Sequence, residues 1–475
     1  MGRPTSPIHC PRNPRSPDVM TRTRLFRFGS AVASTLTVAA LALSACAPGP
    51  SGDSGSSPAP TGEVSKDIAS AGPVTLTVWD QNTDGGIREA QEKLNAQFQE
   101  MYPNVTIKRT VESFSDLKTT LRLALSSNTP PDVVQANQGY PDMGAFVAAG
   151  MLRPMSDYAE LYGWNTYYPE ALLKQNSFSS DGKTWQGDTL YGVSQTGEVV
   201  GIFYNRELLS SLGLEVPKTL DDLNAAMEAA KAKNILPMAF GNLDKSPGIH
   251  VYGVVQAALA GAPAVNDLVS GKGGAWTDEP SLKAAQQIAD WSTKGYLTPG
   301  ANGVSRDDAI AEFGRGGALF TITGTWMQQP LQDALGDKAG FTTLTSDQGE
   351  PATTGGQGLA WAITSKSAHP DVAAAYIDFI TNAKASQLLL DTGNLPTVLP
   401  SGYEPEAGTV AADIATQYRD VQEANGEVPY LDYATPTFYD TITAAMQELV
   451  GGQATPEQFV DTLQKDYADF LASQK

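Results

Sequence analysis

The stretch Val74-Thr75-Leu76-Thr77-Val78-Trp79-Asp80 sets Val74, Leu76 and Val78 on one side and Thr75 and Thr77 on the other. Alternation of this kind defines a strand with one apolar face. The period then changes: Ala90, Leu94, Phe98 and Met101 recur at helical spacing until Pro103 stops the helix. Val105, Ile107, Arg109 and Val111 read as a second strand. Leu117, Leu121 and Leu125 predict a second helix begun by Ser115 or Asp116, and residues 132–136 form a short third strand after Pro130-Pro131. Strand–helix–strand–helix–strand implies right-handed crossovers onto a largely parallel sheet, an α/β fold.

Further along, residues 199–204, 318–322 and 361–364 read as buried strands. Thr219 with Asp222 is a capping box for a helix bearing Leu223, Met227 and Ala230. Thr455-Pro456-Glu457-Gln458 supplies N-cap, N1 proline and N3 glutamine for a last helix carrying Phe459, Leu463 and Phe470. Val372, Tyr376, Phe379 and Ile380 mark a helix after Pro370, and no internal repeat is evident. The roughly 400 residues that follow the first strand exceed one comfortable core, so two lobes are expected.

Upstream, Arg22, Arg24 and Arg27 precede an uncharged apolar run, 31–43, that is too short for a permanent membrane span. It ends in Leu43-Ser44-Ala45-Cys46, which matches the lipobox of bacterial lipoproteins, in which the cysteine is acylated and becomes the first mature residue. Met20 reads as the true start, so 1–45 are an upstream extension plus signal peptide. Residues 46–72, rich in Ser, Gly and Pro, read as lipidated Cys46 and a flexible linker, with the folded part beginning at Pro73. The expected location is the extracellular face of the cell membrane.

Composition excludes several chemistries. The chain of 475 residues carries 32 Lys and Arg against 52 Asp and Glu; beyond residue 45 this leaves 26 against 51, a charge of −25 that opposes nucleic acid as a partner. Three histidines (His9, His250, His369) and two cysteines (Cys10, Cys46) rule out a clustered zinc site, and no disulfide can form beyond Cys46. There is no Gly-x-Ser-x-Gly elbow and no Gly-x4-Gly-Lys-Ser/Thr loop. No catalytic residue and no cofactor is expected. Carboxylates are abundant, so a surface glycoside hydrolase stays open as an alternative, as does a sensory or adhesive lipoprotein.

In open α/β sheets ligands bind beyond the carboxyl ends of strands. Here those ends carry aromatic and amide groups: Trp79-Asp80-Gln81-Asn82, Asn137-Gln138-Gly139-Tyr140 and Thr323-Gly324-Thr325-Trp326, with Trp361 after Gly355-Gly356-Gln357-Gly358. Amides match hydroxyl donors and acceptors, and an indole covers the C–H face of a pyranose, so a sugar suits this mixture.

Taken in order, Val74–Asp80, Pro131-Asp132-Val133-Val134, Leu190-Tyr191-Gly192-Val193, Gly201-Ile202-Phe203-Tyr204-Asn205, Gly317-Ala318-Leu319-Phe320 with Gly324-Thr325-Trp326, residues 355–363 and Ala368-His369-Pro370 make the chain similar to a known family. It resembles the extracellular solute-binding proteins of bacterial ABC importers, in the sugar-binding group (family 1) that includes maltose-binding protein. The resemblance implies a type II periplasmic-binding-protein-like fold of two discontinuous lobes joined by hinge strands. Lobe one would hold 73–195 and 356–427, and lobe two 196–355 and 428–475. Crossings would fall near 194–198, 354–356 and 427–431. It further implies a monomer that captures a mono- or oligosaccharide and delivers it to the transmembrane permease subunits of an ABC transporter.

The same resemblance assigns Trp326 to sugar stacking, against a core role, and Glu198 to the cleft, against a surface ion pair. Gln81, Asn82, Asn137 and Gln138 are candidate hydrogen-bonding groups, although Gln81 or Asn82 could instead cap a helix. Gly356 and Gln357 sit at the second hinge, where a plain turn competes with a ligand contact. Asn242 is a further candidate. One of Tyr430, Asp432, Tyr433 and Phe438 should touch ligand. Trp79 and Trp361 read as packing, and His250 as a satisfied loop histidine. Some basic and acidic cleft residues of the maltose type are missing after the first and third strands, which leaves the identity of the sugar open.

Overall fold

A computed structural model describes residues 64–83 and 85–474. The leader, Cys46 and most of the linker lie outside the described residues. Thirteen strands succeed one another: β1 (Val74–Asp80), β2 (Val105–Val111), β3 (Val133–Ala136), β4 (Ser177–Phe178), β5 (Thr189–Leu190), β6 (Val193–Ser194), β7 (Gly197–Asn205), β8 (Leu236–Met238), β9 (Ala318–Gly324), β10 (Ala339–Thr342), β11 (Thr353–Gln357), β12 (Ala360–Ile363) and β13 (Glu427–Val428). They form a sheet of order β2-β1-β3-β12-β6, a second of order β13-β11-β7-β9-β8 with β10 also on β7, and a small β4–β5 ladder.

The strand read first behaves as its alternation requires: Val74, Leu76 and Val78 are buried, and Thr75 is exposed. β1 pairs in parallel with both β2 and β3. The expectation of a largely parallel sheet holds only for this half, because β12 runs antiparallel to β3 and to β6. A strand that re-enters a sheet by a short link from another sheet is not bound by the crossover rule that makes βαβ units parallel.

Leu94 and Phe98 of the helix Gly85–Met101 join Tyr376, Ile377 and Ile380 of the helix Pro370–Thr381 under this sheet. Met101, expected on the same face, is instead 56% exposed. The next helix, Phe114–Ser126, starts earlier than Ser115 or Asp116: Ser113 is its N-cap and accepts from the Asp116 amide at 3.2 Å. Both expected capping boxes are present, at Thr219/Asp222 and Thr455/Gln458.

Two boundaries differ from expectation. Residues 64–72 are not all loose linker: Ile68 is 1% exposed, and Asn104 Nδ2 donates to the carbonyls of Ile68 and Gly72, both at 3.0 Å. The helix Val410–Glu423, expected in the first lobe, packs Ile414 and Tyr418 with Val199, Phe203 and Phe341 around the second sheet. Its Asp413 accepts from Arg206 at 2.5 Å and from the Phe341 amide at 2.9 Å. The chain passes from the first sheet to the second between β6 and β7, returns between β11 and β12, at Gly358-Leu359, and crosses again between β12 and β13, ahead of the helix Val410–Glu423 rather than near 427–431.

Candidate ligand-binding site

The ends of both sheets meet at one cavity of about 500 Å³. From the first sheet, Gln81 and Asn82 follow β1, Ser113 and Phe114 follow β2, and Asn137 follows β3. From the second come Gly197 and Glu198 at the start of β7, Thr325 and Trp326 after β9, and Gln357 at the end of β11. Helix first turns add Ser246, Ile249 and His250 on one side and Arg306 and Asp307 on another; Tyr430, Asp432, Tyr433 and Tyr439 close the wall.

Each polar group is positioned by a local cause. Asp80 is fully buried and takes two hydrogen bonds from Arg109, Nε to Oδ2 and Nη2 to Oδ1, both at 2.6 Å. Its Oδ1 also accepts from the Asn82 amide at 2.9 Å, which ties down the turn after β1, and Gln81 and Asn82 line the cavity there. Trp326 lies over Gly324: a Cβ built there would fall 1.9 Å from Cζ3 of the indole. Glycine therefore permits the ring its place against the backbone.

Glu198 accepts from Tyr430 Oη at 3.1 Å. Burial pushes its carboxyl up to about 7, against the opposing effect of that hydrogen bond. Burial likewise lifts Asp432 to about 6, opposed by Lys118 and helped by Asp142. Lys118 itself is engaged, donating to Asp142 at 2.7 Å with its Nζ 4.5 Å from the Tyr439 ring. Tyr433 Oη lies 3.0 Å from Asn137 Oδ1 and 3.0 Å from Gln138 Oε1.

Of the residues singled out in the sequence, Gln81, Asn82, Asn137, Glu198, Trp326 and Gln357 line the cavity. Three do not. Gln138 is 1% exposed and spends its amide on the Gly358 carbonyl at 2.8 Å. Asn242 is a buried strut, accepting from the Gly248 amide at 3.1 Å and donating to Asn302 at 3.0 Å. Gly356 has φ of +106°, and a Cβ there would meet Leu172 at 3.2 Å, so it serves the backbone path. Gln357 reaches the wall with its amide already committed to the Leu172 carbonyl and Asn176.

Of the last group, Tyr430, Asp432 and Tyr433 line the cavity, whereas Phe438 is core, 4.5 Å from the Trp276 ring. Trp361 is core as expected. His250 departs from its reading: it belongs to the helix Ser246–Ala260, not a loop, and lines the cavity. Ser113 and Phe114 were also missed, although the strand-end rule applied to β2 as to β1 and β3 points to them. No cluster of three His, Cys, Asp or Glu residues suited to a metal is present among the described residues. Among those residues no helix is long and apolar enough to cross a membrane.

Two sheets linked by short strand-to-strand passages, with a polar and aromatic cavity at their shared ends, define a two-lobe type II binding fold. A solved chitin oligosaccharide binding protein has this fold, with a TM-score of 0.74 at 24% identity over 84% of this chain and 99% of that one. The chain belongs to the bacterial extracellular solute-binding protein family, whose model matches residues 82–387. It is 28% identical over 374 residues to an uncharacterized ABC transporter extracellular-binding protein of Pyrococcus horikoshii, covering 74% of this chain and 76% of that one. It is 26% identical over 320 residues to the multiple sugar-binding protein of Streptococcus mutans, covering 65% of this chain and 71% of that protein.

Proposed function

We propose that this chain is a monomeric, lipid-anchored receptor on the extracellular face of the cell membrane, acylated at Cys46. It captures a mono- or oligosaccharide between its lobes and passes it to the transmembrane subunits of an ABC permease, without a catalytic step. The observation that carries the reading is the wall of the cavity, which the Trp326 indole, seated against Gly324, shares with Asn82, Asn137 and Glu198. Such a set gives a pyranose a platform for its C–H face and partners for its hydroxyls. A cavity of about 500 Å³ has the size of a site for one small molecule. The names of the Streptococcus mutans relative and of the chitin oligosaccharide binding protein support a sugar as the solute.

The lobes follow the sheets in this reading, one around β1–β3, β6 and β12, the other around β7–β11, with the helix Val410–Glu423 assigned to the second. The passages at 195–196 and 358–359 are then hinge segments, and closure over solute is a hinge motion. Calorimetric titration against a panel of sugars tests the function. At least one member should bind, and Trp326→Ala should weaken it about tenfold or more, since loss of a stacked aromatic costs roughly 0.5–1.5 kcal/mol beyond the lost burial. A panel that gives no heat with the parent protein would remove the reading.

A further inference from the structure

His250 is a cavity group that the proposed function leaves unused. Its ring centroid lies 5.3 Å from that of Trp326 and 5.6 Å from that of Tyr430, the tyrosine that donates to Glu198. The imidazole therefore packs against both the Trp326 indole and the Tyr430 ring. Its Nδ1 is buried without a hydrogen-bond partner, an arrangement that costs about 1–3 kcal/mol when nothing repays it. Burial, with the positive charge of Arg306 adding to it, lowers the imidazole to about 4, so the ring is neutral at physiological pH. A neutral imidazole presents one donor and one acceptor, the pairing that a sugar hydroxyl matches in either sense. The χ2 torsion of histidine is broad and two-fold, so a half-turn that exchanges the two edges of the ring needs no off-rotamer geometry.

We propose that His250 is a specificity-determining residue: on solute entry its imidazole turns and exchanges a hydrogen bond with one hydroxyl of the sugar ring stacked on Trp326. This rests on the sugar-receptor reading above. A rotated neutral imidazole would discriminate between sugars that differ at that hydroxyl, because a buried polar group left unpaired penalises the analogue lacking it.

The test uses isotope-labelled histidine in the folded protein, with His369→Gln to assign the signals. Glucose, galactose, maltose and raffinose are titrated in turn, and tryptophan fluorescence and calorimetry report binding independently. With any sugar that binds, the imidazole nitrogen shifts of His250 should move. His250→Phe, which keeps a ring and deletes both nitrogens, should weaken that sugar about tenfold. The deoxy analogue lacking the recognised hydroxyl should bind parent and variant alike, and His250→Asn should recover part of the loss. If a sugar binds while the His250 nitrogens stay still and His250→Phe matches the parent, the proposal is overturned and the receptor reading stands. If no sugar binds by either independent measure, the receptor reading falls and the proposal with it.

Discussion

The closeness of the Trp326 ring to the Gly324 backbone makes this glycine a sensitive test of the platform. Its φ of −88° and ψ of 168° suit any residue, so alanine brings no backbone strain, only a methyl group where the indole now lies. Gly324→Ala should displace the ring, with a stability loss in the range of about 1–3 kcal/mol usual for overpacking. Sugar affinity should fall about tenfold, and the tryptophan emission should shift. Calorimetry and fluorescence on the same sample would read both, and an unaltered affinity would mean that the indole is no platform. At this scale the sequence was partly legible. Trp326, Gln81, Asn82 and Asn137 follow strands and could be found by the strand-end rule. His250 could not, because its helix is apolar nearly all round and buries eleven residues, so periodicity does not show which side meets the cavity. Gln138 misled for a related reason: a residue next to a strand end points to the cavity or away from it, and the backbone path decides which.

Among the elements, β1 and β2 are joined by more than their ladder. The Asp80–Arg109 pair is nearly closed to water, with side-chain exposures of 0% and 12%. Removing one partner of a buried pair leaves the other charge uncompensated, at a cost of about 3–5 kcal/mol. Asp80→Ala should therefore lower unfolding stability by about that amount in denaturant titration. It should also free the Asn82 amide and loosen the cavity wall after β1. A loss below about 1 kcal/mol would show that Arg109 finds water or another partner. The opening strand–helix–strand–helix–strand order and several later elements could be read from alternation, helical spacing and capping chemistry, as the two capping boxes illustrate, whereas helices such as Ser246–Ala260 and Phe438–Val450 were not read. The start of the helix Phe114–Ser126 was misplaced because Ser113, Ser115 and Asp116 are all competent caps, and only the direction from which β2 delivers the chain selects among them. The antiparallel entry of β12 was likewise invisible, since its apolar run is the same for either direction.

Across the whole molecule, contacts far apart in sequence decide what local pattern does not. Ser65 donates its amide to Asp371 at 3.3 Å, across 306 positions, and no composition rule distinguishes that docked segment from the linker before it. The same distance hides the electrostatic consequence of burying carboxylates where the sheets meet. Burial raises Glu198 and Glu427 to about 7 and Asp432 to about 6, each above the range of an unfolded carboxyl. Between about pH 4.5 and 7 the folded state keeps protons that the unfolded chain has released. The contribution of these groups to stability therefore falls as pH rises through that window and levels off above it. Glu427 is the clean probe, because it lies in β13, does not line the cavity, and leaves Oε1 buried without a partner. Glu427→Gln removes the ionisation and keeps the shape. Its advantage over the parent should be negligible near pH 4.5, grow through neutrality, and reach about 1–3 kcal/mol by pH 8. Denaturant titrations of both proteins at pH 5 and pH 8 would measure it. An advantage equal at the two pH values, or larger in acid, would mean that Glu427 reaches water in the folded protein and that the seam between the sheets is wetter than its packing implies.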